Sequence, residues 1–156
     1  MNAKAGERMP EQDLIKLYSQ RILALAADIP RRERLAAPAH SVRKRAPLCG
    51  STVTVDIDLD AEGRIMDFGQ DVRACALGQA SAALLAEHVI DADRATILRL
   101  RDQLRAMLRD GGPVPDAPFE GYEVLIPARD YRNRHASILL AVEATLDAMD
   151  EAARAA

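Results

Sequence analysis

The chain has 156 residues, with 21 basic and 24 acidic side chains and a formal net charge of −3. This length predicts one domain over 1–156 that can bury a core without disulfides or metal. The nearly balanced charge argues against nucleic-acid binding, and no apolar stretch is long enough to span a membrane. The first residues, MNAKAGERMPEQ, lack the apolar core of a signal peptide. We therefore expect a cytoplasmic protein whose two cysteines are free or metal-bound.

The beginning of the chain predicts an amphipathic helix. Apolar residues recur with helical spacing between Leu14 and Leu25, and the helix is expected to end before Pro30. We expect a flexible tail over 1–11 and a folded core over 12–150.

The middle of the chain predicts a small antiparallel sheet. A basic connector enters an edge strand over about 39–45, where the run Arg43–Arg45 is interpreted as a solvated or partner-facing patch. The segment STVTVDIDLD alternates apolar and polar residues, which is typical of a half-buried strand. AEGR predicts a hairpin turn at Gly63, and IMDFGQDV predicts the returning strand. One face of this sheet is expected to be covered and the other exposed to solvent.

The second half of the chain predicts helices. The first of three expected helices covers Ala74–Ile90, and the second is capped by Asp91 or Asp93 and ended by Gly111 and Gly112. A proline-rich loop with a short helical turn at Tyr122–Ile126 follows. The third helix is expected over Arg132–Ala152. A helix, then a sheet, then a run of helices predicts an α+β fold. It has about three antiparallel strands, helices mainly on one face and the N-terminal helix first.

Two cysteines lie on either side of the predicted hairpin. Cys49 precedes its first strand and Cys75 follows its last strand, so the hairpin brings both to the same end of the sheet. The predicted helix start at Cys75 favours its thiolate. The spacing of the cysteines is not a metal signature, so they are either small buried side chains or half of a metal site. His135, at the start of the last helix, is either a surface or capping histidine or a further ligand.

Four segments, in chain order, resemble the U-type iron–sulfur scaffold family, which comprises IscU, SufU and the N-terminal domain of NifU. LYSQRILALAADIPRR resembles its N-terminal helix and APLCGS its Cys-Gly-Asp motif. ACALGQASAALL resembles its Gly-Cys segment, and PARDYRNRHASILL resembles the segment that carries its third cysteine. The resemblance covers about 12–150. The long helical segment between Cys75 and His135 is more similar to the SufU branch than to the compact IscU branch.

This resemblance implies a ligand set. The family binds metal or cluster through three cysteines and an aspartate, and Ser51 stands here at the aspartate position. The third cysteine is absent, because one register places His135 at its position and the other places Ala136 there. The implied site therefore consists of Cys49, Cys75 and His135, a set that suits zinc, iron or a labile iron–sulfur cluster.

The resemblance also implies a function. The chain is expected to be a scaffold or carrier in iron–sulfur cluster assembly and not an enzyme, with a cysteine desulfurase and downstream carriers or apo-proteins as partners. No nucleic acid or membrane partner is expected. Loss of the third cysteine leaves sulfur acceptance open, and a metal-free interaction or regulatory module is the alternative. We expect His135→Ala to release most of the bound metal, and Ala136→Cys to tighten binding if Ala136 occupies the position of the third cysteine.

Overall fold

The computed structural model describes residues 18–155. Its elements follow in this order: α1 (Gln20–Ala27), β1 (His40–Arg45), β2 (Thr52–Leu59), β3 (Ile65–Arg73), α2 (Ala76–Glu87), α3 (Arg94–Asp110), 3-10 segments over Glu120–Asp130 and Arg132–Arg134, and α4 (His135–Ala155). The predicted α+β class, with a helix before a three-stranded antiparallel sheet, is confirmed. The predicted tail over 1–11, and the predicted helical residues up to 17, lie outside the described residues. The single domain stays a prediction.

Local sequence signals account for the ends of two helices. Ser19 caps α1, because its hydroxyl accepts a hydrogen bond from the backbone N–H of Ile22 at 3.3 Å. Of the two predicted caps for α3, Asp93 is the observed one. Gly111 ends that helix in the left-handed conformation, with φ 68°. Asp91 instead adopts φ 71° in the turn before the helix.

The helices pack mainly on one face of the sheet, as predicted. The strand order is β1-β2-β3, with both pairs antiparallel. Val53, Val55 and Ile57 alternate along β2 and are buried, and α4 packs against β1 and β2. Helices α2 and α3 pack on α4, and α1 packs on α2. No helix within residues 18–155 is long and apolar enough to cross a membrane.

The opposite face of the sheet differs from the prediction, because part of it is covered. Asp56 was expected on a solvent-exposed face, but its exposed fraction is 0%. Its carboxylate accepts hydrogen bonds from Arg34 Nε at 2.6 Å, from the backbone N–H of Leu35 at 3.0 Å and from the hydroxyl of Ser41 at 2.6 Å. The connector between α1 and β1 therefore crosses this face. A Cβ on Gly69 would clash with the connector's main chain.

The edge of β3 that does not pair with β2 forms hydrogen bonds with main chain from other parts of the protein. The N–H of Gln70 donates to the carbonyl of Arg31 at 3.0 Å, and that of Ile65 donates to the carbonyl of Ala92 at 2.9 Å. The N–H of Asp91 returns a bond to the carbonyl of Ile65 at 2.8 Å. At the other edge, β1 carries the basic run identified in the sequence.

The segment before α4 is more helical than its sequence predicts. Instead of one short turn, a 3-10 segment extends over Glu120–Asp130. Tyr122 anchors it, because this side chain is fully buried and its hydroxyl donates to the carbonyl of Ser81 at 2.8 Å. A further 3-10 turn follows, so α4 begins at His135 and not at Arg132.

Candidate functional site

The two cysteines lie at the same end of the sheet. Cys49 is in the loop between β1 and β2, and Cys75 occupies the N-cap position of α2, two residues after the end of β3. The loop is closed by a bond from the N–H of Ala46 to the carbonyl of Ser51 at 2.8 Å and one from the N–H of Gly50 to the carbonyl of Ala46 at 3.0 Å. Gly50 has φ 73°, which favours glycine next to the cysteine. The expected convergence of the cysteines at one end of the sheet is observed.

Both cysteines line one open hollow of about 230 Å³. Both are free thiols, with Cys49 exposed and Cys75 half-buried. Two hydroxyl groups and two guanidinium groups share the lining: Ser51, Ser137, Arg73 and Arg134. The hollow therefore combines two soft sulfur donors, two hydroxyl oxygens and two arginines, of which Arg73 also pairs with Asp71 at 3.6 Å.

The hydroxyl groups connect the two thiols through a continuous chain of contacts. Cys49 Sγ donates to Ser51 Oγ at 3.2 Å. Ser51 Oγ and Ser137 Oγ are 3.2 Å apart, and Ser137 Oγ is 3.6 Å from Cys75 Sγ. The side chains of three separate elements thus meet at one polar cluster, which we call the thiol–hydroxyl cluster (Cys49, Ser51, Cys75 and Ser137).

The environment of Cys75 favours its thiolate. Burial alone raises the pKa of this thiol, but the backbone N–H groups of Gly78 and Leu77, the hydroxyl of Ser137 and the charge of Arg134 lower it more. The resulting pKa lies below the ordinary value of a cysteine. This direction agrees with the position of Cys75 at a helix N-terminus, where the helix dipole stabilises negative charge.

His135 lies beside the hollow but does not line it. Its ring is 3% exposed, and Nε2 is 3.0 Å from the carbonyl oxygens of Ala128 and Arg129. Because carbonyl oxygens only accept hydrogen bonds, Nε2 of His135 donates to them. Ala136 is also absent from the lining of the hollow. The role of His135 as a metal ligand stays a prediction.

The sequence interpretation missed Ser137. This residue is 2% exposed and belongs to the hollow, whereas the two neighbouring positions that the resemblance indicated do not. A signal was available, because a serine stands alone at the start of the apolar face of SILLAV. Within residues 18–155, no group of three His, Cys, Asp or Glu side chains is placed to hold a metal ion.

Comparison with solved structures identifies similar proteins. The N-terminal part of a nitrogen-fixing NifU-like protein from Brucella abortus is 38% identical, with a TM-score of 0.88 over 92% of this chain and 99% of that chain. A protein described as an iron–sulfur cluster assembly scaffold of the SUF system, from Fervidobacterium islandicum, is 20% identical, with a TM-score of 0.75 over 86% of this chain and 98% of that chain. At that identity the second likeness shows the fold alone. No protein-family model and no curated protein matches the chain.

Proposed function

The chain belongs to the NifU-like N-terminal family of U-type iron–sulfur scaffold proteins, and we propose that it is a carrier in iron–sulfur cluster assembly. In this proposal the cargo, which is zinc, iron or a labile iron–sulfur cluster, binds in the hollow between Cys49 and Cys75. The observation that carries the proposal is the convergence of two free thiols on one open hollow. The cargo is released unchanged, so we propose no catalytic turnover.

The donor set of the hollow suits this cargo. Thiolates are the soft ligands that zinc and iron–sulfur clusters prefer. The lowered pKa of Cys75 increases the fraction of thiolate at a given pH, and less competition from protons favours metal binding. Cys49 is exposed, so cargo can enter from solvent. The role of His135 as the predicted third ligand is tested by the metal content of His135→Ala.

A cysteine desulfurase and downstream carriers or apo-proteins are the proposed partners. Arg43 and Arg45 are exposed on the strand that leads into the loop of Cys49, whereas Lys44 between them pairs with Asp147 at 2.8 Å. The exposed pair and the two arginines that line the hollow favour a partner with acidic side chains around its own site. The cytoplasmic location stays a prediction.

Loading of the purified protein tests the proposed function. The untagged full chain is incubated anaerobically with Zn²⁺, or with ferrous iron and sulfide, and bound metal is measured by elemental analysis. We expect about one zinc ion or one cluster per chain, and near-complete loss in Cys49→Ser and in Cys75→Ser, because one thiolate is a poor site. Leu48→Ser is the matched control, since Leu48 is 92% exposed in the same loop and does not line the hollow.

Two outcomes would contradict the proposal. A wild-type protein that takes up neither zinc nor cluster would favour the alternative, a metal-free interaction module with the scaffold fold. Full loading of both cysteine variants would place the cargo elsewhere on the chain.

A further inference from the structure

Ser137 is placed to act on cargo in the hollow. Its hydroxyl oxygen lies 3.2 Å from Ser51 Oγ and 3.6 Å from Cys75 Sγ, between the loop and the helix start that carry the two cysteines. The side chain comes from α4, so a third element of the fold contributes to the lining of the hollow.

The packing of α2 against α4 keeps the Ser137 hydroxyl in this position. A Cβ added to Gly78 would collide with Ser137 Oγ and would come within 2.8 Å of Ala74 Cβ. It would also lie 3.1 Å from the carbonyl oxygen of Ser137. Glycine at residue 78 therefore leaves the space that the hydroxyl occupies, and the two helices approach closely there.

The two preceding residues cannot take the same position. Successive residues of an α-helix are rotated by about 100°, so residues three apart share a face and adjacent ones do not. Arg134 ends the 3-10 turn before α4 and is three residues from Ser137; residues three apart share a face in a 3-10 turn too, and both side chains line the hollow. His135 instead contacts the carbonyl oxygens of Ala128 and Arg129 and does not line the hollow.

We propose that the Ser137 hydroxyl, in the place that the resemblance gives to His135 or Ala136, is the third protein donor to the cargo. This assignment rests on the proposed function and adds the donor set: two sulfur atoms and one oxygen atom. An oxygen donor is harder than a thiolate and binds soft metals more weakly. The site thus holds its cargo by two strong contacts and one weak contact, which suits a carrier that must release it.

The Ser51 hydroxyl also lines the hollow and supports the Ser137 donor by direct contact. It accepts the hydrogen bond of Cys49 and contacts Ser137 Oγ, and it is 6% exposed. When Cys49 is bound to metal as a thiolate, the Ser51 hydroxyl can donate to that sulfur. Ser51 therefore orients both the first sulfur and the oxygen donor.

Cobalt binding tests the assignment with two variants that place a cysteine at adjacent positions, Ser137→Cys and Ala136→Cys, and with Ser137→Ala. Co²⁺ bound by thiolates has a charge-transfer absorbance that grows with the number of thiolate ligands. In Ser137→Cys we expect this absorbance to rise by about one half and Kd to fall by about tenfold, since a soft donor replaces a hard one. Ala136→Cys adds a cysteine one residue earlier; the resemblance predicts that it tightens binding, whereas the assignment of Ser137 predicts the wild-type spectrum, because Ala136 does not line the hollow. Ser137→Ala is expected to raise Kd about threefold to tenfold without changing the spectrum per bound metal.

The outcomes separate this assignment from the proposed function. If the wild type binds Co²⁺, but Ala136→Cys adds the third thiolate and Ser137→Ala binds as tightly as the wild type, the assignment of Ser137 is wrong and the carrier proposal stands. If the wild type, Ser137→Cys and Ser137→Ala all fail to bind Co²⁺, both proposals are wrong. Circular dichroism of each variant verifies that the fold is retained, and Ser137→Ala, which adds no volume, remains informative if the larger thiol disturbs the packing.

Discussion

Two polar clusters lie on this sheet, and they differ in how completely their hydrogen bonds are satisfied. The cluster around Asp56 is closed, because its buried carboxylate receives bonds from Arg34, Leu35 and Ser41. The thiol–hydroxyl cluster is open, since its chain of contacts ends at two free thiols facing a hollow. A closed cluster fixes the position of a connector, whereas an open one leaves donor atoms available to a ligand. We therefore expect the first to contribute to stability and the second to binding.

The largest expected effect on stability comes from removing the carboxylate of the closed cluster. Asp56→Ala leaves the N–H of Leu35 and the hydroxyl of Ser41 without their acceptor, and we expect the free energy of unfolding to fall by roughly 2 to 4 kcal/mol. Urea denaturation measures it. Asp58→Ala is the control on the same strand, because Asp58 accepts a single exposed bond from Ala39 and is expected to cost less than about 1 kcal/mol.

The pH dependence of this stability follows from the same carboxylate. Burial raises the pKa of Asp56, but the bonds from Arg34, Ser41 and Leu35 lower it below its ordinary value. A lowered pKa means that the stabilisation is complete above the pKa of an unfolded Asp, about 4, and is lost as pH falls through the lowered pKa. Equal stability losses in Asp56→Ala and Asp58→Ala at neutral pH would contradict the distinction between the clusters.

A smaller effect is expected where the open cluster depends on packing. Gly→Ala inside a helix normally stabilises by about 1 kcal/mol. At Gly78 we expect the opposite sign, a loss of about 1 to 3 kcal/mol, because the added Cβ collides with Ser137. The displaced hydroxyl should also weaken Co²⁺ binding. Gln79→Ala, at the next residue of α2, adds no volume and serves as the control in thermal denaturation and cobalt titration.

A gain in stability in Gly78→Ala would contradict the predicted close packing. If Gly78→Ala is more stable than the wild type and binds Co²⁺ equally well, the close approach of α2 and α4 does not fix the Ser137 hydroxyl.

The smallest effect concerns the thiol of Cys75 in the metal-free protein. In a Cys49→Ser background, the rate of alkylation by iodoacetamide is followed against pH. The pH at which the alkylation rate is half-maximal should be lower than in the urea-unfolded chain, since the pKa of Cys75 is lowered in the folded protein. Ser137→Ala should raise this midpoint because a donor is lost, whereas Ser41→Ala, in the closed cluster, should leave it unchanged. A midpoint at or above that of the unfolded chain would contradict the lowered pKa.

Local periodicity was sufficient to predict the sheet and the meeting of the cysteines. The alternation of STVTVDIDLD predicted a strand at 51–60, and β2 is observed at Thr52–Leu59. Because a hairpin places its two ends side by side, the positions of Cys49 and Cys75 followed from the same pattern. Both inferences depend on residues that are close in sequence, for which the backbone geometry is nearly fixed.

Long-range packing and helix phase could not be predicted in the same way. The burial of Asp56 depends on a connector about twenty residues earlier in the chain, and no local pattern indicates that it crosses the sheet. The side chain that enters the hollow depends on where α4 begins. A start at Arg132 was predicted, but a 3-10 turn precedes α4. Which of His135 and Ser137 faces the hollow could therefore be determined only from the structure.

The edges of the sheet have a consequence for how copies of this protein coexist in a cell. An exposed strand edge is a template on which another chain can add a strand, and such pairing leads to aggregation. Here main chain from Arg31, Asp91 and Ala92 occupies part of the edge of β3, and the exposed cations Arg43 and Arg45 on β1 disfavour pairing with a second copy. The protein can therefore keep one end of its sheet open to solvent while both strand edges are guarded against pairing with another chain.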